Sequence, residues 1–324
     1  AADAVTAAPP PVPRTDTAVL ELSSPPGDGS VPRLLGSLGF TAVGRHRSKP
    51  VHWWRNGDAH VVVNETAADA AQAAAIGVTS PPVAVVADRA KALLWPAVAT
   101  TRGEDEAPLP GITAPSGLHV FVSGEPGGTS DWHRDFVATG ADDTGGLTGI
   151  DHVGVAVSPD DLDDEVGFFR TLFDLSPGPV EEFMEPHGRL RSRALRPPAG
   201  DLRVVLNVEE TGARAHRLGV NQVAFSCDDL VAAVRGLRAR GVPMMTVPDN
   251  YYVDLDARFA LPADVLDVLR EERLLYDRTG AGELLHAYTE VLPTGFYVEL
   301  LERRGGYDGY GSPSTHVRLA AQRT

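Results

Sequence analysis

The fold is decided by Gly149-Ile-Asp-His-Val-Gly-Val-Ala-Val157, a short apolar stretch with a histidine near its start. Read as a strand, it places His152, Gly154 and Ala156 on one face and its valines on the other. A face with one polar residue followed by small residues is typical of a cavity wall, whereas a branched apolar face packs under helices. We therefore expect the chemistry of this protein on the His152 face.

Two later stretches have the same character and are expected to line the same cavity. In Gly219-Val-Asn-Gln-Val-Ala-Phe-Ser226, Gln222 precedes small residues on one face. In Phe296-Tyr-Val-Glu-Leu-Leu301, Glu299 lies within an apolar run. A buried carboxylate without a partner is costly, so a cation, an arginine or a proton must compensate Glu299.

The composition excludes several classes of partner. The 324 residues carry a formal net charge of -15, which argues against a nucleic acid and against an anionic membrane surface. No apolar run reaches the length of about 18 residues that spans a membrane. The single cysteine, Cys227, excludes an internal disulfide and fits a reducing compartment, so we expect a cytoplasmic protein with a buried structural thiol.

The chain divides into a linker and two similar halves. Residues 1–16 are Ala/Pro-rich and predict a linker, residues 17–148 form a first half and residues 149–324 form a second half. The stretch from Gly57 to Asn64 matches the stretch from Gly200 to Asn207 at a constant offset of 143 residues. The fold predicted from this repeat is α+β, with four βαβββ modules forming two half-open barrels in tandem.

The first half is predicted to lack the three polar residues of the second. Its pattern indicates a helix at Ala67–Ile76, a strand at Val83–Ala87 and a helix at Arg89–Val98. In the alignment that follows, Pro82 lies opposite Gln222 and Phe121 opposite Glu299. We therefore expect the first half to be a scaffold without metal ligands.

His152, Gln222 and Glu299 together predict a metal site. One imidazole, one amide oxygen and one carboxylate can occupy one side of a metal octahedron and leave the other positions for substrate or oxygen. The alternative is structural: a satisfied core histidine, an ordinary hydrogen-bonding glutamine and a glutamate paired with an arginine. The residues alone leave both alternatives open.

The second half resembles the catalytic half of 4-hydroxyphenylpyruvate dioxygenase, and the whole chain resembles its two-half architecture in the vicinal oxygen chelate superfamily. The resemblance implies that His152 and Glu299 hold the metal, which is Fe²⁺ in that family, and that Ser192 and Asn207 line a substrate pocket. The matching pieces are Ile150-Asp-His152, Ser192-Arg-Ala-Leu-Arg-Pro-Pro-Ala-Gly200, Leu206-Asn207, Gly219-Val-Asn-Gln222, Pro248-Asp-Asn-Tyr-Tyr252, Phe296-Tyr-Val-Glu-Leu-Leu-Glu-Arg303 and Gly306-Tyr-Asp-Gly-Tyr-Gly311.

Departures from that family change the expected activity. Gln222 replaces the second histidine ligand, so Mg²⁺, Mn²⁺ or Zn²⁺ become alternatives to Fe²⁺. Asn221 and His286 stand where the dioxygenase has glutamines that orient the substrate. Ser312-Pro-Ser-Thr315 replaces the piece that begins a closing helix. We therefore do not expect turnover of 4-hydroxyphenylpyruvate.

A further resemblance covers the first half. Leu38-Gly-Phe-Thr-Ala-Val-Gly-Arg-His-Arg-Ser-Lys49, followed by Trp54-Arg-Asn-Gly-Asp58, is similar to the dioxygenase-like C-terminal region of bacterial fused 3-dehydroshikimate dehydratases. This resemblance implies an N-terminal dehydratase barrel as a partner domain, and the Ala/Pro-rich linker is what a cut at that junction would leave. The basic cluster of Arg45, His46, Arg47 and Lys49 is expected either to bind a carboxylate, to dock that domain or to be solvated.

Two functions follow from the sequence. The first is a metal-dependent, dioxygenase-like module that chelates a 2-oxo acid or diol-type small molecule, expected to be a carboxylate, with Ser192, Asn207, Asn221 and His286 orienting it. The second is a non-catalytic scaffold or dimerisation domain for the dehydratase barrel. In both cases we expect a homo-oligomer.

Overall fold

The computed structural model describes residues 7–65, 70–185, 188–211, 218–292 and 295–322. In these described residues, the α-helices and strands of the first half are β1 (Asp16–Ser23), α1 (Ser30–Ser37), β2 (Thr41–His46), β3 (Val51–Asn56), β4 (Ala59–Asn64), β5 (Gln72–Thr79), α2 (Val83–Ala92), β6 (Gly111–Thr113), β7 (His119–Ser123) and β8 (Phe136–Ala138). The second half contains β9 (Leu147–Ala156), α3 (Leu162–Phe173), β10 (Ser176–Glu185), β11 (Gly188–Arg196), β12 (Val204–Thr211), β13 (Gly219–Cys227), α4 (Leu230–Ala239), α5 (Asp249–Phe259), α6 (Ala263–Glu271), β14 (Leu275–Thr279), β15 (Gly282–Tyr288), β16 (Tyr297–Arg304) and α7 (Thr315–Ala321).

Each half forms one eight-stranded mixed sheet. The strand order is β6-β7-β5-β1-β4-β3-β2-β8 in the first half and β10-β11-β12-β9-β13-β16-β15-β14 in the second. In the second sheet the central strands β9 and β13 are antiparallel to each other, and each has a parallel neighbour on its other side. Strands β1 and β5 of the first sheet are related in the same way, with β4 and β7 as their parallel neighbours. The predicted tandem α+β architecture is therefore confirmed. The second module departs from the βαβββ pattern, because only β6 and β7 follow α2 before the chain crosses to β8.

One face of each strand packs against the helices and the other face lines a cup, as the two-residue period of the sequence predicted. Val153, Val155 and Val223 are fully buried in the main hydrophobic core together with the phenylalanines of α3. Ala224 faces the other way and packs against Leu301 and two other side chains in a separate cluster inside the cup. The apolar faces therefore hold the helices against the sheet and leave the small and polar residues to line the cup.

Two predicted elements of the first half are wrong. Residues from Gln72 to Thr79 form β5 rather than the end of a helix, and the start of that predicted helix, at residues 67–69, lies outside the described residues. The alanine-rich stretch becomes a strand because β1 and β7 pair with its two edges, so tertiary pairing overrides helix propensity. Residues from Val83 to Ala92 form α2, since Pro82 provides the extended residue before the helix and Val86 and Ala90 share its buried face.

Other boundaries also differ from prediction. The predicted helix at Arg89–Val98 is only the end of α2, which stops at Ala92. In the second half, two helices, α5 and α6, lie between α4 and β14. Met244 forms a single β-bridge to Thr289.

The strand register shows which residues of the first half correspond to the site. Leu20 pairs with Val61 as Val153 pairs with Val204, so Val19 corresponds to His152. By the same reasoning Ala75 corresponds to Gln222, which corrects the predicted alignment with Pro82, and Phe121 corresponds to Glu299 as predicted. Val19 packs in a small apolar cluster with Val51, Val62 and Trp132, so an apolar contact stands at the position of His152.

The predicted basic cluster is not a simple surface patch. His46 is buried, and Lys49 forms an ion pair with Glu106 at 2.6 Å. Arg45 and Arg47 are exposed. Trp54 packs against the main core. Trp53 contacts the aromatic rings of Trp132 and Phe136.

The segment before β1 contacts the second half. Val12 and Thr15 are buried, and Thr15 donates its backbone N–H to the carbonyl oxygen of Ala199 at 3.1 Å. The described part of the predicted linker therefore packs on the protein.

Candidate metal centre

The structure brings His152, Gln222 and Glu299 into direct contact on the cup face of β9, β13 and β16. Glu299 Oε2 lies 3.3 Å from His152 Nε2 and accepts a hydrogen bond from Gln222 Nε2 at 2.7 Å. Gln222 Nε2 lies 3.4 Å from His152 Nε2. All three side chains are buried. The three predicted ligands therefore form one cluster, although they are far apart in the sequence.

Asp151 fixes the orientation of His152. Its Oδ1 accepts the Nδ1 hydrogen of His152 at 2.8 Å, which leaves Nε2 to face Glu299 and Gln222. Arg303 donates to both oxygens of Asp151, at 2.7 and 2.8 Å, and Arg203 donates to Oδ2 at 3.0 Å. Burial opposes the charge of Asp151, but the hydrogen bonds from Arg303 and His152 hold the pKa of this carboxyl well below its usual range. Asp151 is thus a fixed anion behind the histidine.

Glu299 is held on its other oxygen by His286. The Nδ1 atom of His286 lies 2.8 Å from Glu299 Oε1, so Oε2 is the oxygen that faces the cluster. Burial raises the pKa of Glu299, but the hydrogen bonds to His152 and His286 outweigh it and lower the pKa to about 2. Burial lowers the pKa of His152, and its bonds to Asp151 and Glu299 outweigh this and raise it to about 9. Glu299 is therefore ionised at neutral pH.

Gln222 presents its amide nitrogen to Glu299 and its oxygen to Tyr297. The Tyr297 hydroxyl donates to Gln222 Oε1 at 3.1 Å and accepts from Arg318 of α7, also at 3.1 Å. A bulge in the pairing of β13 with β9 makes Asn221 an extra residue beside Gln222. Gly154 permits this packing, since a Cβ there would lie 2.9 Å from the Gln222 side chain.

The cluster has the dimensions of one side of a metal octahedron. Adjacent ligand atoms at bond lengths of about 2.1 Å are about 3 Å apart. The observed separations of 2.7, 3.3 and 3.4 Å bracket that value. Turning the Gln222 amide by half a rotation exchanges its nitrogen and oxygen, so the oxygen would then face the other two donors. The residues present therefore fit a divalent cation.

Gln222 is essential to that fit. Among the described residues, no group of three or more His, Cys, Asp and Glu side chains could hold a metal ion. His152 and Glu299 are two candidate ligands, and Gln222, with its amide turned by half a rotation, would bring a third donor atom beside them.

The four predicted substrate residues lie on the cup side in two groups. Ser192 Oγ donates a hydrogen bond to Asn207 Oδ1, and Asn207 pairs in register with Ala156 of β9. Asn221 lies beside Gly154, and His286 contacts Glu299. His286 therefore contacts one of the predicted metal ligands.

Sequence reasoning missed Asp151, Arg303 and Tyr310. The Tyr310 ring lies edge-on to the His152 ring, with 5.2 Å between ring centres, and its hydroxyl accepts a hydrogen bond from Arg196. Arg303 follows Glu299 by four residues, so the two-residue period places both on one face of β16. The two-residue period of β16 could therefore have indicated that Arg303 lies on the same face as Glu299.

In the described part of the chain, no helix is long and apolar enough to cross a membrane.

Comparisons with protein families match both halves. Residues 11–102 match the N-terminal domain of hydroxyphenylpyruvate dioxygenase, and residues 149–267 match the glyoxalase/bleomycin resistance protein/dioxygenase superfamily. Members of this superfamily are typically metal-dependent.

Similar proteins include two kinds of enzyme. The chain is 37% identical over 312 residues to a 3-dehydroshikimate dehydratase of Pseudomonas putida, covering 89% of this chain and 48% of that protein. It is 28% identical over 321 residues to a 4-hydroxyphenylpyruvate dioxygenase of Pseudomonas aeruginosa, covering 90% of this chain and 88% of that protein. A solved xylose isomerase-like TIM barrel/4-hydroxyphenylpyruvate dioxygenase fusion protein superposes with a TM-score of 0.85 at 32% identity, covering 97% of this chain and 53% of the fusion.

The two tandem cups and the family matches define the class: the chain belongs to the glyoxalase/bleomycin resistance/dioxygenase superfamily, also called the vicinal oxygen chelate superfamily. Within that class it is a 4-hydroxyphenylpyruvate dioxygenase-like protein, and it is similar to part of 3-dehydroshikimate dehydratase. It spans about half the length of the dehydratase and of the fusion protein.

Proposed function

We propose that the second half is a metal-dependent, dioxygenase-like module that chelates a small carboxylic acid through a cation held by His152, Gln222 and Glu299. The observation that supports this most directly is the contact of three donor side chains with separations close to those of adjacent metal ligands. The metal is one divalent cation. Gln222 favours Mg²⁺, Mn²⁺ or Zn²⁺ beside the Fe²⁺ of the family, because an amide oxygen is a harder ligand than an imidazole.

The charge of the site suits an anionic ligand. When a cation replaces the proton on His152 Nε2, the remaining ring hydrogen is on Nδ1 and the three proposed ligands contribute a single negative charge, that of Glu299. A divalent cation in their midst retains one positive charge, which a carboxylate can neutralise. A cation at this position would supply Lewis acidity to a 2-oxo acid or a diol-type ligand chelated there.

The chain's own residues would hold the ligand in place. Asp151 would keep Nε2 of His152 directed into the cup, and His286 would keep Glu299 turned so that Oε2 faces the cation. We assign Ser192, Asn207, Asn221 and His286 to orienting the substrate. Tyr310 covers one edge of His152 and limits the access of water.

The similarity to 3-dehydroshikimate dehydratase supports a further part of the proposal. The chain matches about half of that protein, and the fusion structure combines a TIM barrel with a dioxygenase-like unit. We propose that this module works as part of a fused 3-dehydroshikimate dehydratase in a cell's cytoplasm.

A second candidate is a scaffold or dimerisation domain for the dehydratase barrel. It is favoured by one observation: Gln222 donates directly to Glu299, so the buried cluster satisfies its own hydrogen bonds without a cation. In this alternative the cup is a structural polar network and the contacts with the barrel carry the function.

Metal analysis separates the two candidates. The protein is purified, stripped with a chelator, reloaded with Mn²⁺ or Fe²⁺, desalted and analysed by inductively coupled plasma mass spectrometry. We expect close to one equivalent of metal in the parent and in Glu165→Ala, a matched change of a buried glutamate on α3, and none in Glu299→Ala. A parent protein without retained metal would exclude the first candidate.

An oxygen-electrode assay tests the narrower activity. We expect no rapid uptake of oxygen with 4-hydroxyphenylpyruvate and Fe²⁺, since Gln222 replaces an imidazole ligand and His286 replaces an amide. Rapid uptake would show that these replacements preserve the dioxygenase reaction.

A further inference from the structure

Helix α7 is connected to the proposed metal ligand Gln222 through two side chains. Arg318 of α7 donates from Nη1 to the Tyr297 hydroxyl at 3.1 Å, and this hydroxyl donates to Gln222 Oε1, also at 3.1 Å. On its other side the Gln222 amide donates from Nε2 to Glu299 Oε2 at 2.7 Å. A continuous chain of hydrogen bonds therefore runs from the arginine of α7 to the carboxylate of the proposed site.

Arg318 is held in this position by two aromatic rings. Its guanidinium carbon lies 5.5 Å from the centre of the Tyr297 ring and 5.6 Å from the centre of the Tyr288 ring, distances at which a cation is attracted to an aromatic face. Both tyrosines are buried. The start of α7 is fixed as well, because the buried hydroxyl of Ser314, directly before the helix, lies 3.2 Å from the Tyr251 hydroxyl.

The arginine decides the direction of this chain. A guanidinium group has only donors, so the Tyr297 hydroxyl accepts from Arg318 and cannot give its own hydrogen to it. That hydrogen is used on Gln222 Oε1, an amide oxygen that only accepts. The amide oxygen is thereby held toward Tyr297, and the NH₂ group is held toward Glu299 and His152.

A cation between the three proposed ligands requires the opposite orientation of the amide. With the Gln222 oxygen turned toward the cation, the NH₂ group faces Tyr297 and donates to its oxygen. The hydroxyl hydrogen of Tyr297 then loses its acceptor on Gln222, and Arg318 offers no acceptor in exchange. The contact with α7 therefore favours the metal-free orientation of the amide by about one hydrogen bond.

We infer that Arg318 is a positioning residue that restrains metal binding, because through Tyr297 it holds the amide oxygen of Gln222 away from the cation position. The inference rests on the proposed metal site and adds control of that site by α7. A replacement that can accept a hydrogen bond would remove the restraint. The Tyr297 hydroxyl could then donate toward position 318 and accept from the turned amide of Gln222.

The affinity for Mn²⁺ in variants of Arg318 tests the inference, with electron paramagnetic resonance as the readout. Arg318→Gln places an amide or a water molecule, both of which can accept, where the guanidinium stood, so it should bind Mn²⁺ about fivefold more tightly than the parent. Arg318→Lys retains a group that only donates and should stay close to the parent. A residue that merely supported the fold would lower the affinity when replaced, so a gain reports on the restraint.

Tyr297→Phe separates the hydrogen-bond chain from the loss of one positive charge. If the chain carries the effect, Arg318→Gln should gain little in the Tyr297→Phe background, whereas an effect of charge alone would persist there in full. An unchanged affinity in Arg318→Gln, or an equal gain in Arg318→Lys or in the Tyr297→Phe background, would overturn the inference and leave the metal proposal intact. If neither the parent nor Arg318→Gln binds Mn²⁺, the metal proposal and this inference are overturned together.

Discussion

Replacing Asp151 with asparagine tests how far the site depends on the residues behind its ligands. Asp151 Oδ1 accepts from His152 and Arg303, and Oδ2 accepts from Arg303 and Arg203. An asparagine amide replaces one of these oxygens by an NH₂ group, so at least two of the four hydrogen bonds are lost in either orientation. At about 1.5–3 kcal/mol for a hydrogen bond to a charged group, Asp151→Asn should cost about 3–6 kcal/mol.

The same substitution should weaken metal binding. Loss of the carboxylate behind a metal-binding histidine typically lowers affinity by about 10- to 100-fold. Urea unfolding measures the first effect, and Mn²⁺ titration followed by electron paramagnetic resonance measures the second. Asp308→Asn is the control, because Asp308 also pairs with Arg203 but its side chain is 64% exposed, so it should cost less than about 1 kcal/mol. Equal stability and equal Mn²⁺ affinity in Asp151→Asn and the parent would refute this reasoning.

Three more predictions concern single residues. Gln222→His should shift the metal preference from Mg²⁺ toward Fe²⁺, as measured by competition between metals, and an unchanged preference would argue against Gln222 as a ligand. Burial, with the nearby Glu302 carboxylate, raises the pKa of Cys227 to about 12, so iodoacetamide at pH 8 should modify the thiol far more slowly in the folded protein than in urea. Burial lowers the pKa of His60 to about 4 from an unfolded value of 6.5, so its contribution to stability is complete above pH 6.5 and is lost as the pH falls toward 4. Urea unfolding from pH 7 to 4 should show a weaker decline for His60→Gln, and an equal decline would assign the effect to other groups.

The sequence was sufficient for the parts of the site that depend on alternation along a strand. His152, Gln222 and Glu299 each precede or lie among apolar residues with a clear two-residue period, and the structure brings all three together. The repeat at an offset of 143 residues also matches Val61 with Val204, and in the structure each of these residues pairs in parallel with the first strand of its own half.

What the sequence could not provide depends on long-range pairing. The alanine-rich β5 has the composition of a helix, and only its two neighbouring strands make it a strand. The valine-rich α2 has the composition of a strand, yet Pro82 ends the extended segment and its next residues bury a helical face. Arg303 lies 152 positions from Asp151 in the chain, so no local sequence pattern could have predicted their ion pair.

The central claim is that a cation binds between His152, Gln222 and Glu299, and anomalous diffraction from crystals grown with Mn²⁺ tests it most directly. The account predicts a peak within about 2.1–2.3 Å of His152 Nε2 and Glu299 Oε2, with the amide oxygen of Gln222 turned toward it. It would be contradicted if no peak appears there at saturating Mn²⁺ and Gln222 still donates its amide hydrogen to Glu299.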